Sequence, residues 1–96
     1  MEFVNHPAHY NITGKKECIE QMREDYGDYI TAIFCLTNIY KYMYRAGHKT
    51  RTDDFAKSRW YWDYVNTELD CKDFFCDDLT FANLYSEVER MMEERL

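Results

Sequence analysis

Backbone breakers are scarce in this chain, and that scarcity constrains its fold more than any other feature. In 96 residues there is one proline, Pro7, and three glycines, Gly14, Gly27 and Gly47. From Lys15 onward no proline interrupts the chain, and apolar residues recur at helical spacing instead of alternating as they would in a half-buried strand. This pattern predicts an all-α fold.

The same breakers divide the chain. Residues 1 to 14 hold Pro7 and end at Thr13-Gly14, which reads as an extended or turn-rich arm. In "KKECIEQMREDY", residues 15–26, Cys18, Ile19 and Met22 share one face, predicting a short N-terminal helix that stops at Gly27. Asp28 offers an N-cap for a long helix to about Ala46, ended by Gly47. Thr52-Asp53-Asp54 forms a second capped start, opening a helix to about Leu69 that places Phe55, Trp62 and Leu69 seven residues apart. The connection between the two long helices is short, so they are expected to pack as an antiparallel pair.

The acidic stretch "DCKDFFCDD", residues 70–78, reads as a connection whose aromatic pair folds back onto the core. From Thr80 to Arg95, the spacing of Phe81, Leu84, Tyr85, Val88, Met91 and Met92 predicts a C-terminal amphipathic helix. The whole is read as one domain over 1–96: an arm at 1–14, a helical core at 15–69, and the acidic connection with its helix at 70–96. So short a chain buries a core with little margin, and self-association into a homo-oligomer is expected.

Hydrophobic residues make up 46% of the chain and aromatics 18%, which excludes a disordered chain. No apolar run approaches the roughly 20 residues that span a bilayer, and "MEFVNHPAHY" lacks the basic-then-apolar pattern of a signal peptide. A cytoplasmic protein with no membrane partner is expected. Cys18, Cys35, Cys71 and Cys76 form no CxxC, so reduced thiols are expected, with Cys18 and Cys35 as small buried hydrophobes.

The net charge of -6 is unevenly spread: residues 1–40 carry -3, residues 41–59 carry +4 and residues 60–96 carry -7. A local cationic stretch on an acidic chain suits a small anionic ligand better than a specific nucleic-acid duplex. Asn38, Lys41 and Arg45 stand at i, i+3 and i+7, within about 60° of one another on a helix. Lys49 and Arg51 follow the helix end, and Lys57 and Arg59 open the facing one. Tyr40, Tyr42, Tyr44, Trp60, Tyr61, Trp62 and Tyr64 crowd the same two helices.

Two readings are open at this point. The stripe is a solvated face paired with the many acids, or it holds a phosphate beside stacking rings. In the arm, His6 and His9 stand in an H-x-x-H spacing. Two histidines alone do not hold zinc, so no metal site is expected, and these residues dock the arm, touch a ligand or, since imidazole titrates near neutral pH, act in catalysis. No P-loop, G-x-G-x-x-G or G-x-S-x-G pattern is present, so a phosphate site would have to be built from side chains.

The segments "VNHPAHY", "ECI", "FCLTNIYKYMYRAGHK" and "DDFAKSRWYWDYV" follow one another in an order that resembles the SaV-like family of small bacteriophage proteins. That family's pattern reads V-N-H-P-x-H-Y, E-C-I, F-C-L-G-N-x-x-K-Y-x-x-R-A-G-x-K and D-L-x-K-A-x-W-Y-L, and the resemblance spans about residues 4–65. Thr37 stands where the family usually has glycine. The resemblance implies a phage protein acting in the host bacterial cytoplasm; one branch, typified by a longer phage protein, is described as a nucleoside monophosphate kinase without a Walker motif. Its signature positions include Asn5, His6, His9, Tyr10, Asn38, Lys41, Tyr42, Arg45, Lys49 and Trp60, which together form the expected ligand-binding set.

The function expected from residues and resemblance together is binding of a phosphorylated nucleotide, linear or cyclic, without turnover and without a cofactor. The nucleotide would belong to the pool or be a nucleotide-derived host immune signal, and binding would sequester it as counter-defence. One alternative is a monophosphate kinase using ATP and Mg²⁺, with Lys41 and Arg45 steadying the transferring group. The other is an acidic inhibitor of a host nucleic-acid enzyme, carried by the -7 of residues 60–96.

Overall fold

A computed structural model describes residues 17–48 and 52–94. The expected arm, with Asn5, His6, His9 and Tyr10, lies outside the described residues, as does Lys49. Among the described residues four helices follow in order: α1 (Cys18–His48), α2 (Thr52–Thr67), α3 (Lys72–Asp77) and α4 (Leu79–Glu93). No strand occurs among the described residues.

The break expected at Gly27 is present, although no loop separates the two segments. Gly27 has φ 90° and ψ 175°, a region that residues with a Cβ essentially never occupy, and α1 resumes at the next residue. Asp28 has a different task from the expected N-cap. Its carboxylate accepts from Arg23 Nε at 2.8 Å and from the Asp70 N–H, beyond the end of α2, at 2.8 Å. The helical turn after the break is instead tied by Thr31, whose Oγ1 donates to the Gly27 carbonyl at 2.8 Å. At its other end α1 continues through Gly47 to His48, so that glycine does not stop it; terminal residues of a helix shift by one or two with little energetic consequence.

Ala32, Leu36, Ile39 and Met43 recur every three or four residues along α1 and are buried with Cys35. They meet Tyr64 and Val65 of α2, Leu69 and Cys71 beyond it, and Phe81, Val88 and Met92 of α4. Each large aliphatic or aromatic side chain of this kind stabilises the fold by roughly 1.5–3 kcal/mol when fully buried. Cys18 departs from expectation: it is exposed, while Ile19 beside it is buried. The first turn of α1 thus turns a different edge to the core from the one assigned by spacing.

Part of the acidic connection is itself helical, as α3, and its aromatic pair does fold back. Phe74 and Phe75 set their edges against Phe81 with centroids 5.4 and 5.2 Å away. Asp78 ends this turn and caps α4, its Oδ1 accepting from the Phe81 N–H at 3.1 Å; such a cap stabilises a helix by about 1 kcal/mol. Tyr29 of α1 reaches the same Asp78 with its hydroxyl.

Candidate functional site

Between α1 and α2, cations gather around one ring. The Lys41 Nζ lies 4.6 Å from the centroid of Tyr42, the Lys57 Nζ 5.5 Å and the Arg45 Cζ 5.8 Å. All three fall within the range at which a cation is attracted to an aromatic face, worth about 0.5–1 kcal/mol at an exposed site. Because Lys41 and Lys57 share one ring, their ammonium groups are no farther apart than about 10 Å, the two distances laid end to end.

Local helix geometry assembles this cluster. Lys41 and Arg45 are one turn apart on α1, while Lys57 and Tyr61 are one turn apart on α2. The Tyr42 and Tyr61 rings stack across the two helices, with centroids 6.3 Å apart and planes 14° from parallel. Phe34 and Trp60 each set an edge against Tyr61 at 5.9 and 5.2 Å. Lys41 is exposed and Lys57 half-buried. Among the described residues, neither ammonium has a carboxylate partner.

Arg45 is placed differently, with its Nε 3.6 Å from Oδ2 of Asp54. The Arg45 side chain is 40% exposed, whereas Asp54 is fully enclosed at 0%. Among the described residues, both carboxylate oxygens of Asp54 lack a hydrogen-bond partner, and so does the buried hydroxyl of Ser58 one turn further along α2.

Of the residues expected in the site, Lys41, Tyr42 and Arg45 are brought together. Asn38 is half-buried and its amide donates to the Phe34 carbonyl at 2.8 Å, so one donor of the expected stripe is spent on its own helix. Trp60 stacks on Tyr64 at 5.4 Å and 19° and packs against the core, one ring removed from Tyr42. Asp54, Ser58 and Tyr61 were not singled out from the sequence as site residues, and Lys57 was noted there only as one of the gathered cations. A signal for Asp54 and Ser58 does exist: 54, 58, 61 and 65 lie at i, i+4, i+7 and i+11, so two polar residues occupy positions in register with Tyr61 and the buried Val65.

Burial pushes the Cys35 thiol up to about 12 and the Cys71 thiol to about 11, so neither presents a thiolate near neutral pH. No group of three metal-ligating side chains occurs among the described residues. No described helix is long and apolar enough to cross a membrane.

Fold and site thus define a small all-helical chain with an aromatic-lined cationic mouth between α1 and α2. Residues 4–63 match DUF3310, a family described as a protein of unknown function, and the chain belongs to that family. The match takes in every residue of the mouth and ends before α3 and α4 begin. No curated protein matches the chain, and no solved structure does.

Proposed function

We propose that this protein binds a phosphorylated nucleotide at the mouth between α1 and α2 and holds it without turnover. The observation that carries the reading is the convergence of Lys41, Arg45 and Lys57 on the Tyr42 ring, with both lysines lacking carboxylate partners among the described residues. Three cations held close together repel one another, and an anion of two or more charges relieves that repulsion. Nearby rings offer π-faces on which a base can stack. The two helices run as an antiparallel pair in this reading: Arg45 near the end of α1 approaches Asp54 near the start of α2, while Asp28 approaches Asp70 past the end of α2.

The resemblance to SaV-like phage proteins covers nearly the same stretch as the family match, and it supports a role in sequestering a pool nucleotide or a host immune signal in the bacterial cytoplasm. Ile30, Tyr40 and Tyr44, exposed along α1, would serve self-association. The test is to incubate the purified protein with lysate nucleotides, wash, denature, and identify what is released by mass spectrometry. An unmodified nucleotide in stoichiometric amount is expected from the wild type and none from Lys41→Ala/Arg45→Ala of unchanged helicity. Equal recovery from both proteins, or nothing from either, overturns the reading.

A further inference from the structure

Asp54 stands out on two counts. It is a carboxylate with no exposure to solvent, and among the described residues neither of its oxygens accepts a hydrogen bond. Native folds almost never leave such a group without compensation, because an unpaired buried charge is strongly destabilising. Among the described residues, the ion pair to Asp54 comes from Arg45 across the helix pair, with Nε at 3.6 Å. Arg45 is also the one of the three cations at Tyr42 with a planar, forked head whose orientation decides whether it can grip an anion with two parallel bonds.

From this arrangement we infer that Asp54 is a positioning residue for the anion site: it holds the inner edge of the Arg45 guanidinium so that the outer nitrogens point at the phosphate. This inference rests on the nucleotide reading and adds a division of labour to it. Lys41 and Lys57 act as point charges, which tolerate many geometries. Arg45 acts by direction, and the direction is supplied from α2 by a side chain that never meets the ligand. Ser58, one turn on, lies on the same face, and its buried hydroxyl likewise has no partner among the described residues. A like charge near a bound phosphate would by simple Coulomb repulsion weaken binding. Positioning therefore predicts the opposite sign from charge alone when Asp54 is neutralised.

The test is a double-mutant cycle read by calorimetric titration with AMP and with inorganic phosphate at low salt. Asp54→Asn keeps the shape and removes the charge. With Arg45 present it is expected to lower affinity for both probes by about tenfold, the scale of one charge-assisted contact. In the Arg45→Ala background the same change is expected to do nothing further. Tighter binding by Asp54→Asn overturns the inference, as does an equal loss in both backgrounds, which would mark a general structural effect.

If Asp54→Asn does not fold, Arg45→Lys reads the relationship from the other side. Loss comparable to Arg45→Ala supports positioning, and wild-type affinity overturns it. Failure of the unmodified protein to bind either probe, or indifference of affinity to Lys41→Ala and Arg45→Ala alike, sinks the nucleotide reading itself, an outcome distinct from failure of the cycle.

Discussion

The ring of Tyr42 on α1 lies 6.3 Å from that of Tyr61 on α2, 14° from parallel, directly among the cations of the mouth. One contact therefore joins the two helices and forms part of the candidate site. Tyr61 also takes the edges of Phe34 and Trp60. Replacing it with alanine should lower stability by about 2–4 kcal/mol, from lost burial and three ring contacts. Urea unfolding followed by circular dichroism measures this, and a loss under about 1 kcal/mol would show that the rings touch without contributing.

Lys57 separates ligand binding from folding. Its ammonium contributes at most the cation–π attraction to Tyr42, about 0.5–1 kcal/mol, so Lys57→Ala should leave the fold nearly as stable as before. Affinity for a captured nucleotide should fall about tenfold, and less steeply in high salt, where the wild type is itself weakened. Unchanged affinity at low salt would remove Lys57 from the site.

Acid should loosen the base of the helix pair. The Arg23 guanidinium, bonded to Asp28, holds that carboxyl below its ordinary value, with help from the Asp70 N–H. A depressed carboxylate contributes its full stability above its unfolded value, about 3.9, and loses it as pH falls through the lower folded value. Asp28→Asn should be less stable than the wild type at pH 7, by about 2 kcal/mol for the lost charge-assisted bonds. The two should converge as pH falls from about 5 to about 2. Parallel stability curves over that range would rule the bond out as a source of acid sensitivity.

Gly27 is a matter of backbone alone. A methyl group added there meets nothing within 4 Å, so space does not forbid alanine. The φ of 90° does, and Gly27→Ala should cost about 1–3 kcal/mol with little change in helix content. Thermal unfolding checks this; a stabilised variant would mean that α1 can run straight through the break.

Thiol reactivity should divide the cysteines two and two. Cys18 and Cys76 are exposed, while Cys35 and Cys71 are buried with their thiols pushed up to about 12 and about 11. A disulfide reagent at pH 8 should titrate two thiols quickly in the native protein and all four in denaturant. Four fast thiols would mean that the interior opens readily.

Periodicity and breakers in the sequence were enough for the helices. The break at Gly27 and the start of α2 at Thr52 follow from the glycine and the capping residues, and the buried set of α4 follows from spacing, because which residues share a helical face depends only on 3.6 residues per turn. The stripe of Lys41 and Arg45 was legible for the same reason. Which face of one helix meets which face of another is decided by packing across the whole chain, and there local reading failed. Asp54 was legible as part of a capped helix start, but its enclosure beside Arg45 was not; Asp28 looked like a cap and ties α1 to the chain beyond α2. Asn38 gives one amide N–H to its own helix, a bond that spacing alone does not show, while Lys57 and Tyr61 join the candidate site from α2. A side chain's neighbours four residues away are set by the helix, but its neighbours across an interface exist only once that interface has formed.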